Sequence, residues 1–214
     1  MKNTIWFFGD CFVSGISLRP HDPYYKYKQE GDKLWTDIVA EELNMNLYRP
    51  GSEVGLTAFP WLINEFIKHL DTIKKGDIVI FGETMPDGVL TFNEEKDKVH
   101  SFNCYDIFDY ESCWSWRTEE EMEKTLPYIA HHKVPYREQW TKFYKEQVHN
   151  IGKEILNRGV KTFYWSRSLW DKFEKISDVS DNPSNHWSWK GQKQMAEHIL
   201  NMIKEDKYIK QKSI

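Results

Sequence analysis

Asp77-Ile78-Val79-Ile80-Phe81-Gly82 is an unbroken apolar run between an acidic turn and a glycine. Its β-branched and aromatic residues favour a strand, and the absence of polar alternation predicts one covered on both faces. Outward from it, strand and helix signals alternate. Ile5–Phe8 reads as a first strand that runs into Gly9-Asp10-Cys11, and residues 16–33 read as an irregular excursion. Leu34–Leu43 carries apolar residues at helical spacing. Asn44–Tyr48 follows as a short strand, broken by Arg49-Pro50-Gly51-Ser52. Phe59–Leu70 is again helical in period, closed by Lys74-Lys75-Gly76. Pro135 opens a helix to about Arg158, Val160–Ser166 is the next strand, and a last helix spans about Lys190–Lys204 after the polar stretch 171–185.

Alternation of this kind predicts an α/β fold: a mostly parallel sheet between helices in a three-layer α/β/α sandwich. Residues 83–134 interrupt it with Pro, Gly, acidic clusters and many aromatics. They read as one long insertion on a single domain spanning 1–214, helical around Thr118–Leu126. In a parallel sheet, sites form beyond the carboxyl ends of the strands. Cys11, Gly51, Gly82-Glu83-Thr84 and the Ser166 region are all expected there.

Composition narrows the function classes. With 29 Lys+Arg against 33 Asp+Glu, the net charge of −4 offers no basic footprint for nucleic acid. No run approaches the ~18 apolar residues of a membrane span. Three cysteines (Cys11, Cys104, Cys113) form no metal spacing, and residues 1–8 are too short for a signal peptide. Together these predict a reducing, cytoplasmic setting. Neither Gly-x-Gly-x-x-Gly, a P-loop nor Cys-x-x-Cys occurs, and His131-His132 are adjacent, so no cofactor or metal is expected. The 10 Trp, 11 Tyr and 12 Phe suit either an aromatic core or a wide binding surface.

Acyl transfer needs a nucleophile, a base and donors for the developing oxyanion. A cysteine just past a strand end supplies the first. His186, in a polar loop directly before a helix, is the best-placed base, and Gly51 at a strand-to-helix turn offers an unobstructed N–H.

The order of these pieces resembles the SGNH (GDSL-type) hydrolases. Gly9-Asp10-Cys11 is similar to their Gly-Asp-Ser block, with Cys11 at the nucleophilic serine. Tyr48-Arg49-Pro50-Gly51-Ser52 resembles the second block, and Asp77–Thr84 the strand into the third, Gly-x-Asn. His186-Trp187-Ser188-Trp189-Lys190-Gly191 resembles the last. The resemblance implies a flavodoxin-like sheet, a Cys11 nucleophile, a His186 base, and an oxyanion held by Cys11, Gly51 and the third-block position. That last position falls on Thr84 here. The family's Asp falls on Pro183, leaving Asp181, Asn182, Asn185 or a backbone carbonyl to orient the imidazole. The implied activity is hydrolysis or transfer of an acyl group from a small-molecule or glycan ester, or from a thioester. A non-catalytic glycan- or protein-binding module on the same fold is the alternative, since three family positions are changed.

Overall fold

The computed structural model of the protein describes residues 2–14, 23–49, 59–83, 88–93, 98–103, 137–180 and 186–209. Four strands, β1 (Thr4–Phe8), β2 (Asn46–Tyr48), β3 (Ile78–Gly82) and β6 (Lys161–Trp165), form an all-parallel sheet in the order β2-β1-β3-β6. Ile5 pairs with Ile78 and Phe8 with Phe81. On the far side Ile78 pairs with Lys161 and Gly82 with Trp165. The protein therefore has an α/β fold with β3 as an inner strand, as its uninterrupted apolar run predicts.

The apolar run follows from burial on both sides. Ile5, Phe7, Ile80, Phe163 and Trp165 join one apolar cluster with helix α2 (Trp35–Glu42), through Trp35, Val39 and Ala40, and helix α6 (Trp189–Lys204), through Met195, Ala196 and Ile199. Trp6, Phe8, Val79 and Phe81 join a second cluster with helix α3 (Phe59–His69), through Leu62 and Phe66, and helix α4 (Arg137–Leu156), through Tyr144, Val148 and Ile155. Alternate residues of one strand thus enter different clusters, which the period of two requires.

Asp77 reads as the head of the central strand, but the strand starts one residue later. Its fully buried carboxylate braces the entrance to the sheet instead. Oδ1 accepts from the Thr4 N–H at 2.8 Å, and Oδ2 accepts from Trp6 Nε1–H at 3.0 Å and the Lys74 N–H at 3.1 Å. A buried carboxylate is tolerated when donors surround it in this way.

Two further elements depart from the sequence reading. Within 83–134, Gly88–Asn93 (β4) and Lys98–Asn103 (β5) pair antiparallel as a separate two-stranded sheet, with Gly88 opposite Asn103 and Asn93 opposite Lys98. The polar stretch before His186 contains a one-turn helix, α5 (Ile176–Val179), which is too short to show a period. The helix expected at Thr118–Leu126 lies outside the described residues. No described helix is long and apolar enough to cross a membrane.

Candidate functional site

In a sheet of this order, the connection after β1 leads to β2 on one side, and the connection after β2 returns past β1 to β3 on the other. The crevice at the carboxyl ends of β1 and β3 is therefore the switch point where ligands of such folds bind. Three polar segments meet there.

Beyond β1, Gly9 and Asp10 lead into helix α1 (Cys11–Ser14). Asp10 makes the turn: its Oδ1 accepts from the Phe12 N–H at 3.1 Å, and its carbonyl accepts from the Val13 N–H at 2.9 Å. The side chain is only 7% exposed. Burial pushes its carboxyl up to about 6, against the lowering effects of the Phe12 N–H and the Arg167 charge.

Beyond β3, Glu83 is a hub. Its N–H donates to the Trp165 carbonyl at 2.9 Å. Its Oε2 accepts from the Tyr164 hydroxyl at 2.9 Å, the Ser166 hydroxyl at 2.9 Å and the Arg167 N–H at 3.1 Å, all from the end of β6. Tyr144 of α4 donates to the Gly82 carbonyl at 3.1 Å. Burial, then the charges of Asp10 and Glu83, push the Tyr144 phenol well up; burial and Glu83 do the same to Tyr164. Both hydroxyls therefore stay neutral donors. Gly82 is required by close approach, because a Cβ there would sit 2.4 Å from Trp165 Cζ2.

Beyond β6, Ser166 caps a 3₁₀ turn (Arg167–Leu169), its hydroxyl accepting from the Ser168 N–H. The Arg167 guanidinium lies over the Trp170 ring, 3.9 Å from its centroid. Trp170 stacks on Phe12 at 4.3 Å, and Phe12 stacks on the His186 imidazole at 4.7 Å. His186 is carried on a tethered segment. Its carbonyl accepts from the Ile176 N–H at 2.8 Å, and Trp187 bridges to Lys175. Ser188 then caps α6. Its hydroxyl accepts from the Gly191 N–H at 3.1 Å and donates to Glu174 at 2.6 Å, which with Lys190 holds the Glu174 carboxyl below its usual range. Gly191 permits this seat, since a Cβ would fall 2.2 Å from the Glu174 carbonyl oxygen.

Of the residues expected at the site, the fold brings His186 against the neighbour of Cys11, through Phe12. The Cys11 backbone opens α1, while its thiol lies outside the described atoms. Gly51, Thr84 and Asp181 lie outside the described residues, as do Asn182, Pro183 and Asn185. The sequence places Glu83 at the carboxyl end of its strand without assigning it a role, and it marks neither Asp10, Arg167 nor Trp170 as a site residue. A positional signal was available for three of them, because Asp10, Glu83 and Arg167 stand one or two places past the end of a parallel strand. Among the described residues, no group of three or more His, Cys, Asp and Glu is arranged to hold a metal ion.

Comparison of the chain with protein-family models, with curated proteins and with solved structures returns no match.

Proposed function

We propose that the chain is an SGNH-type hydrolase or acyltransferase acting on esters or thioesters, built on a three-layer, flavodoxin-like α/β/α sandwich and working in the cytoplasm. The observation that carries this reading is the stacking of the His186 ring, 4.7 Å between centroids, on the residue that follows Cys11. The strand order β2-β1-β3-β6 and the two apolar clusters support the sandwich.

In this mechanism His186 takes the Cys11 thiol proton, and the thiolate attacks the acyl carbon. Negative charge develops on the acyl oxygen, toward the N–H groups of Cys11 and Gly51 and the Thr84 hydroxyl. The intermediate collapses, the bond to the alcohol or thiol breaks, and the leaving group takes the proton from His186. A water deprotonated by His186 then cleaves the acyl-Cys11 thioester and releases the acid. Asp181 orients the imidazole. A thiolate is intrinsically nucleophilic, so cysteine at the serine position tolerates a base with a simpler support. No cofactor is needed. The substrate is a small-molecule or glycan acyl ester.

The test is turnover of p-nitrophenyl acetate by the native protein and by Cys11→Ala and His186→Ala. Each variant is expected to lose at least a hundredfold in kcat/KM while keeping its fold. Turnover that survives complete alkylation of Cys11 overturns the reading.

A further inference from the structure

We propose that Phe12 and Trp170 form a stacked support that fixes the plane of the His186 imidazole beside Cys11, which makes Phe12 a positioning residue for the base. The inference rests on the Cys11–His186 reading above.

The support is held along its length by packing and hydrogen bonds. Phe12 is only 3% exposed, and its main chain is held at both polar groups. Its N–H donates to Asp10 at 3.1 Å, and its carbonyl accepts from Trp35 Nε1–H at 2.8 Å. Its ring lies within 22° of parallel to Trp170 and 28° of parallel to His186, and meets Trp187 edge-on. Trp170 is fixed in turn. Its carbonyl accepts from Trp187 Nε1–H at 3.2 Å, and the Arg167 guanidinium covers its ring. Arg167 is anchored by its own N–H on Glu83. The chain of contacts thus runs from the carboxyl edge of β3 to the imidazole.

A ring held by its face has the plane of its two nitrogens fixed. The face contact also responds to charge. When His186 takes the thiol proton it becomes a cation lying on a phenyl face, an attractive arrangement that the neutral ring lacks. Phe12 therefore favours the thiolate–imidazolium pair over the neutral pair. Among the described residues, the charged groups on the surrounding elements include Asp10 ahead of α1, Arg167 beside Trp170, Glu174 and Lys190 at the Ser188 cap, and Lys175 and Asp178 at the start of α5.

The experiment compares native protein with Phe12→Leu, which removes the ring face, and Phe12→Tyr, which keeps it. Alkylation of Cys11 by iodoacetamide at pH 7, resolved by peptide mass spectrometry from Cys104 and Cys113, reports the thiolate without needing a substrate. In Phe12→Leu this rate falls about tenfold, and kcat for p-nitrophenyl acetate falls about tenfold at unchanged KM, as expected for a misplaced base. Phe12→Tyr restores both. In NMR spectra the His186 ring protons are shifted upfield by the Phe12 ring current in the native protein and in Phe12→Tyr, and lose that shift in Phe12→Leu. Should Phe12→Leu fail to fold, Trp170→Leu removes the second layer and gives the same directions at smaller size. An alkylation rate indifferent to Phe12→Leu, or His186 protons without the ring-current shift in the native protein, overturns the proposal. Loss of reactivity in Phe12→Leu with no ester turnover in the native protein sinks the hydrolase reading alone. Cys11-dependent turnover with Phe12-independent alkylation sinks only the positioning role.

Discussion

Replacing Asp10 by Asn gives a pH-dependent gain in stability. The carboxyl is buried at the turn between β1 and α1, and its ordinary value of 3.8 rises to about 6 in the folded protein. A raised acid binds its proton more tightly when folded. Its stabilising contribution is therefore complete below about pH 4 and is lost as pH rises through about 6. The gap of about two units, at about 1.36 kcal/mol per unit, leaves native Asp10 costing about 3 kcal/mol at pH 7.5. Asn keeps an Oδ1 to accept the Phe12 N–H at the same place and carries no charge to desolvate. Urea unfolding of both proteins at pH 4 and pH 7.5 reads the difference. Asp10→Asn matches the native protein at pH 4 and exceeds it by up to about 3 kcal/mol at pH 7.5, which is about 6–12 °C in Tm for a chain of this size. A difference independent of pH, or an Asn variant less stable at pH 7.5, refutes the assignment of the cost to desolvation.

Other positions give expectations of their own. Glu83→Ala strips the shared acceptor from Tyr164, Ser166 and the Arg167 N–H, and lowers unfolding free energy by about 2–3 kcal/mol in urea titration; an unchanged midpoint contradicts the hub. Gly191→Ala drives a methyl into the Glu174 carbonyl and is expected to cost at least 2 kcal/mol of stability, with weakened His186-dependent turnover; a variant of native stability shows that the α6 seat relaxes freely. Asp77→Ala leaves the Thr4, Trp6 and Lys74 donors unanswered and costs about 2–4 kcal/mol by calorimetry, whereas a cost under 0.5 kcal/mol removes the brace.

What the sequence made legible follows from how local each signal is. Ile78–Gly82 is readable because burial on both faces leaves no polar residue in the strand, and Leu62 and Phe66 show the helical spacing of α3. Four residues at Ile176–Val179 carry no period. In β4 and β5, short strands border the charged run Glu94-Glu95-Lys96-Asp97, which masks their pairing. At the site, Cys11 and His186 stand out because each sits in a motif of adjacent residues. The Glu83 hub is different: its partners lie 81 to 84 positions along the chain, and no local pattern marks a hydrogen bond across that separation. The Arg167–Trp170–Phe12–His186 stack is hidden for the same reason, because it joins three segments far apart in the chain that only the sheet order brings together.

In the proposed mechanism an acyl group passes through Cys11. Mixing the native protein with p-nitrophenyl acetate, quenching in acid within the first turnover and mapping peptides by mass spectrometry tests it directly. One acetyl group is expected on Cys11 of the native protein, formed with a burst of p-nitrophenol, and neither the burst nor the acetyl group is expected from His186→Ala on that timescale, because nothing there takes the thiol proton. Acetyl found elsewhere while Cys11 stays unmodified, with turnover undiminished in Cys11→Ala, contradicts it.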